Sequence, residues 1–193
     1  MKVGFSQIAI FDTQTVVGFL KTNPLDLVSF SQNWLSKVIS LGGDALIIRD
    51  SSKEYTFFMQ ALEHIQAFKP QSLPLICNHR HQTLIPGTQG IHYKRGNVRG
   101  IELAEGFAGI SAHSTDGCRH AERCGFDYVF LSPIFLTRSH PGESGLGLEK
   151  LSKICASTHI PVFALGGITQ DNRHACLAAG AKGTASISLY MPD

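Results

Sequence analysis

The sequence predicts a single α/β domain over residues 1–193, a (β/α)8 TIM barrel in a short form lacking the eighth helix. Three observations predict it. Eight short apolar or β-branched runs alternate with longer amphipathic stretches. The runs are continuously apolar rather than alternating, as suits parallel strands covered by helices. Polar and ionisable residues gather just after the runs, where barrel loops carry chemistry. A doubly wound open sheet stays open as the alternative, because periodicity does not separate the two.

The expected strands lie at 7–11, 45–49, 73–78, 90–92, 109–111, 128–132, 162–165 and 184–188. The expected helices lie at 27–41, 53–68, 114–124, 148–158 and 171–179. Asp171 suits the N-cap of the last helix and Gly180 its C′ position; Ser114 or Thr115 suits the cap after strand five. The connections over 82–89 and 97–106 are thin, and the sequence ends at Tyr190-Met191-Pro192-Asp193, leaving no room for an eighth helix. The outer faces of strands eight and one should then lack cover. The N-terminal segment, a partner subunit or a gap takes that place, and a homodimer is expected on this ground.

Composition narrows the classes. Charged residues at 17% and hydrophobic residues at 43% exclude a disordered chain. A net charge of +2 is too small to point to nucleic acid. No run approaches the roughly 18 apolar residues of a membrane span, and the stretch from Met1 to Ile8 lacks a signal peptide's features. A cytoplasmic protein with no nucleic-acid or membrane partner is expected. Five cysteines, Cys77, Cys118, Cys124, Cys155 and Cys176, include no C-x-x-C pair and read as small buried or half-buried thiols.

Three segments carry the chemical signals. The strand Val162-Phe163-Ala164-Leu165 runs into Gly166-Gly167 and then a helix. Glycines let backbone amides approach an oxyanion, and the strand-seven and strand-eight loops of such barrels recurrently hold phosphate. Gly166 and Gly167, with Ile187 and Ser188 after strand eight, are therefore the expected phosphate-binding residues; a plain tight turn is the bland alternative. After strand five, His113 is the rim group suited to move a proton near neutral pH, unless it serves packing or capping. After strand six, Thr137, Arg138, Ser139 and His140 begin a polar loop that could close over a ligand.

In order along the chain, Leu46-Ile47-Ile48-Arg49, Leu75-Ile76-Cys77-Asn78, Gly90-Ile91-His92, Gly109-Ile110-Ser111-Ala112-His113, Ser132-Pro133-Ile134-Phe135-Leu136-Thr137, Pro161 through Ile168 and Ala179-Gly180-Ala181 resemble the thiamine-phosphate synthase/TenI family. The resemblance implies the barrel and a phosphorylated thiazole or pyrimidine ligand. It implies substrate contacts at Arg49, Asn78, His79, His92, Ser111, Thr137, Ser139 and His140. The family's synthases join hydroxymethylpyrimidine diphosphate to thiazole phosphate and release pyrophosphate with the help of magnesium.

Against that pattern, the lysine two residues after Arg49 is Ser51, the aspartate after Asn78 is His79, and the aspartate after the strand-four histidine is Asn97. The lysine of the strand-six loop is His140. His79 and Asn97 make a poor magnesium pair. No cofactor is expected, magnesium entering only with synthase activity. What remains resembles the TenI branch, and a thiazole tautomerase with His113 as proton carrier is the leading expectation. The alternatives are the synthase itself, a non-catalytic binding or regulatory barrel, and a transition metal held by His79, His92, His113 and His140.

Overall fold

A computed structural model describes residues 3–52, 54–94, 102–136 and 145–192. The strands are β1 (Gln7–Asp12), β2 (Ala45–Arg49), β3 (Leu75–Asn78), β4 (Gly90–Tyr93), β5 (Phe107–Ala112), β6 (Tyr128–Leu131), β7 (Val162–Leu165) and β8 (Gly183–Ser186). All neighbours are parallel and follow chain order, and β8 closes on β1 through Gln7↔Thr184, Ile8↔Ala185 and Ala9↔Ser186. Closure removes the open-sheet alternative.

Period-two alternation divides each strand between interior and helix layer. Ile8, Ile10, Ala45, Ile47, Ile76, Tyr128, Phe130, Phe163 and Ala185 fill the barrel. Ala9, Phe11, Leu46, Ile48, Leu75 and Cys77 face outward into the helices of the first half. Phe5 plugs the N-terminal end, edge-on to Phe107 and Tyr128. Asp44 ties that segment down: its carboxylate accepts from the amides of Ser6 (2.8 Å) and Gln7 (2.6 Å) and from the Ser6 hydroxyl (2.9 Å).

The helices are α1 (Thr13–Leu20), α2 (Leu27–Ser40), α3 (Tyr55–Phe68), α4 (Thr115–Arg123), α5 (Gly147–Ala156) and α6 (Arg173–Ala178). In α2, Phe30, Trp34, Leu35 and Val38 make one buried stripe, and Asp26 caps the start by accepting from the Ser29 amide at 2.8 Å. Ser114 caps α4 through the Gly117 amide. The thin connections after β3 and β4 carry no helix among the described residues. No helix among those residues is long and apolar enough to cross a membrane.

Three expectations change. Helix α1 went unread because Thr13, Thr15, Val16, Val17 and Gly18 are weak helix formers. Its start is set by Asp12, which accepts from the Thr15 amide at 2.9 Å and hydroxyl at 2.7 Å. Asp171 is not a cap: α6 begins at Arg173, and Asn172 instead accepts from the Thr169 amide while donating to the Gly167 carbonyl. Gly180 does take the left-handed turn after α6, at φ +94°. Finally, strand eight stops at Ser186, where the chain turns into a 3-10 turn, Ser188–Tyr190. Tyr190 is 1% exposed and packs with Ala9, Trp34, Val38 and Leu46. The chain itself therefore covers the face expected to be bare, and the physical ground for a homodimer is absent among the described residues.

Candidate functional site

Parallel register brings the strand ends to one mouth. Asp12, Arg49 and Asn78 stand side by side, paired as Asp12↔Arg49 and Arg49↔Asn78. Asp12 is buried and fully engaged: beyond α1, it accepts from the Ser51 hydroxyl at 2.6 Å and faces the Arg49 Nε at 3.5 Å. Ser51 stands where the family resemblance expects a lysine. Its hydroxyl also accepts from the Gln14 amide, and its own amide donates to Thr13, so the residue fastens the β2 loop to the start of α1. Asn78 is 7% exposed, and its Oδ1 has no partner among the described residues. A buried acceptor of that kind costs about 1–3 kcal/mol unless something donates to it, which suits a ligand or water at the mouth.

Strand alternation separates the histidines. His79 follows Asn78 and turns outward, where its ring stacks on Phe58 of α3 and its Nε2 lies 2.7 Å from the Thr83 carbonyl. It does not reach the mouth, contrary to its assignment as a substrate contact. Desolvation lowers its pKa, with the neighbouring His81 adding to the effect. His92 does face the interior, but at 2% exposure it lies below the mouth, stacked on Phe130 with ring centroids 4.3 Å apart. Its Nε2 is 3.0 Å from the Ser111 hydroxyl and its Nδ1 3.3 Å from the Tyr128 hydroxyl. Burial and the positive Arg49 push its pKa down to about 3, so the ring is neutral. His92 therefore orients Ser111, which is the partly exposed member of the pair. Gly109 makes this possible, since a Cβ there would come within 2.1 Å of the Tyr128 ring.

His113 lies exposed at the mouth, with Nδ1 2.6 Å from the Ser132 carbonyl oxygen. A carbonyl accepts only, so Nδ1 carries a proton and donates to it, leaving Nε2 as the ring nitrogen free of that contact. Opposite β3 in the barrel order stands β7, with Gly166 at φ +95° and Gly167 at φ +65°. A Cβ on Gly166 would sit 2.8 Å from Pro133, and one on Gly167 would sit 2.4 Å from the Leu136 carbonyl oxygen. The glycines thus let the β6 loop lie against the β7 turn, a packing need that the sequence did not reveal. Ile187 and Ser188 lie just past the end of the neighbouring β8, where the 3-10 turn begins, and Ser188 is exposed. Thr137, Ser139 and His140 lie outside the described residues, as do Asn97 and Arg138.

A cleft of about 430 Å³ opens beside β2 and is lined by Gln14, Arg49, Asp50, Ser51, Ser52, Arg80 and Lys94. Lys94 is the residue that sequence reading missed. Its signal was a charged side chain two positions after the strand-four histidine.

Among the described residues, which do not include Asn97 or His140, neither metal reading finds a donor set. No group of three His, Cys, Asp or Glu side chains comes together among the described residues. The acids at the mouth are spent, Asp12 on hydroxyls and an amide, and Asp50 on Arg80 at 2.9 Å. Magnesium prefers carboxylate and water oxygens, and this arrangement does not fit it.

The sequence model described as thiamine monophosphate synthase (TMP-TENI) matches residues 24–189. A thiamine-phosphate synthase of Methanoregula boonei is 33% identical over 163 residues, 79% of this chain and 75% of that protein. Some likenesses are more local: a thiamine-phosphate synthase of Moorella thermoacetica is 44% identical over 89 residues, 45% of this chain and 42% of that one. Among solved structures, a thiamine phosphate pyrophosphorylase from Pyrococcus furiosus superposes with TM-score 0.69 at 20% identity, covering 95% of this chain and 86% of that one. That likeness bears on the fold alone.

Proposed function

Because this chain belongs to the thiamine monophosphate synthase family, we propose that it binds phosphorylated thiazole and pyrimidine substrates and couples them as a transferase. The relatives' names weigh toward this alternative over the tautomerase first expected from sequence. One structural relationship supports it: two groups of residues suited to anions stand across the barrel from each other. One is the glycine turn of β7 beside Ile187 and Ser188; the other is the cationic cleft of Arg49, Arg80 and Lys94. Two phosphorylated reactants need two such places.

In the coupling, the bond between the pyrimidine methylene carbon and the diphosphate oxygen breaks, and pyrophosphate leaves with the electron pair. The thiazole ring nitrogen donates its lone pair to that carbon. The chain's part is positioning and charge. Gly166, Gly167 and Ser188 hold the thiazole phosphate, the cleft cations hold the diphosphate, and Asn78 and Ser111 meet polar edges between them.

A second reading, proton transfer within a thiazole phosphate carboxylate, is favoured by the fixed tautomer of His113, whose Nε2 is left as a base. One experiment separates the readings. The purified protein is given hydroxymethylpyrimidine diphosphate and thiazole phosphate, and pyrophosphate release is followed; a parallel sample receives the thiazole carboxylate isomer. Coupled product supports the transferase. Isomerisation without coupling supports the tautomerase, and turnover of neither leaves the binding-protein alternative.

A further inference from the structure

The cleft beside β2 has a charge pattern that its sequence neighbours do not announce. It draws Arg49 from β2, Arg80 from the β3 loop and Lys94 from just after β4, so three cations from three strands meet at one opening. The lining carboxylate, Asp50, is 3% exposed and lies beneath them. Arg80 forks onto it, Nε at 2.9 Å and Nη2 at 3.3 Å, while Nη2 also donates to the Ser52 carbonyl at 3.3 Å. The guanidinium also lies 5.5 Å from the Tyr55 ring centroid. It is thereby held in one orientation before any ligand arrives.

Lys94 is positioned by its backbone, whose amide donates to the Gln82 side chain at 3.0 Å. Its ammonium has a single long contact among the described residues, 3.4 Å to the Asp50 carbonyl. A donor set of this kind repels a divalent cation and attracts a polyanion. Arg80 keeps its Nη1 face beyond the Asp50 fork, and with Arg49 and the Lys94 ammonium it can donate to phosphoryl oxygens.

We infer that this cleft binds a diphosphate group without a divalent cation, Lys94 supplying charge that a metal ion would otherwise bring. The inference rests on the reading that phosphorylated substrates enter this mouth. It adds that diphosphate affinity here is metal-independent and that Lys94 belongs to the anion site.

The test is calorimetric titration of inorganic pyrophosphate into the full chain, once with EDTA and once with magnesium chloride. The expected dissociation constants agree within about threefold, and K94Q weakens binding about tenfold, the scale of one hydrogen bond to a charged group. K94R should restore most of the loss. Because Lys94 is exposed, the melting temperature of K94Q should match the parent's, which separates lost binding from lost fold. Titrating G167A alongside identifies the site: the K94Q effect should persist there, since the glycine turn is across the barrel.

Binding that appears only with magnesium overturns the inference, as does a K94Q protein with parental affinity. Metal-free pyrophosphate binding without coupled product would overturn the transferase reading and leave this one standing. Coupling with magnesium-dependent pyrophosphate binding would do the reverse.

Discussion

The Nδ1 of His113 is 2.6 Å from the carbonyl oxygen of Ser132, so the end of β5 and the loop after β6 are joined through an imidazole whose other nitrogen is left to the mouth. The contact selects one tautomer of an exposed ring. It is what a positioned base needs, and it also serves as a plain strut between two loops.

The two roles separate by substitution. H113N keeps a side-chain donor near the carbonyl and removes the base. Isomerisation of a thiazole phosphate carboxylate should then fall about 10²–10⁴-fold, the usual worth of a positioned acid or base. Thiazole phosphate affinity should stay within about threefold, since the hydrogen bond is kept. Coupling to the pyrimidine diphosphate, which passes no proton through this ring, should stay near parental. An isomerisation rate unchanged in H113N would remove His113 from the chemistry.

The glycine turn is tested by G167A. Its φ of +65° and the 2.4 Å approach of an added Cβ to the Leu136 carbonyl leave an alanine no relaxed position. A stability loss of about 2 kcal/mol is expected, seen as a fall of about 4–8 °C in melting temperature for a chain of this size. Thiazole phosphate binding should weaken with it. Parental melting and parental affinity together would show that the turn tolerates a side chain and does not cradle the phosphate.

Acid should weaken the fold through His92. Its folded pKa lies near 3, below the unfolded value near 6.5, so the unfolded chain takes up a proton that the native ring refuses. The stabilisation is complete above about pH 6.5 and is lost as pH falls toward 3, at up to about 1.4 kcal/mol per pH unit. His79, also lowered by burial, acts with the same sign. Urea unfolding at pH 7 and pH 5 should show a loss about 2 kcal/mol smaller in H92Q than in the parent. Equal losses in the two proteins would mean that His92 is protonated in the fold.

Tyr190 should behave as core although it lies three residues from the end of the sequence. Its ring is buried with Trp34 and Val38 of α2, and Y190A should cost about 3 kcal/mol. The single tryptophan, Trp34, lies in the same cluster, so its emission should shift to the red in the native variant. A variant with parental stability would show that the closing turn covers nothing of consequence, and the uncovered-face argument for a dimer would return.

The family, and through it the barrel, was legible in the ordered motifs, while closure of the sheet was not. Apolar runs such as Ala45–Arg49 and Val162–Leu165 fall where they were expected, because burial on both faces leaves a local, one-dimensional trace. So did the loss of the family's acids and lysines, which is a matter of identity at a position. Direction was not legible. Asn78 and His79 are adjacent, yet one faces the mouth and the other α3, and His92 reaches inward but stops beneath Ser111. Nor could the sequence show that Ser51 is spent on Asp12, or that Lys94 arrives beside Arg49 and Arg80 from a different strand. Those facts depend on closing a sheet, which brings residues more than 40 positions apart into one cleft. Local pattern determined what the elements are; the register of neighbouring strands decided which side chains share a site.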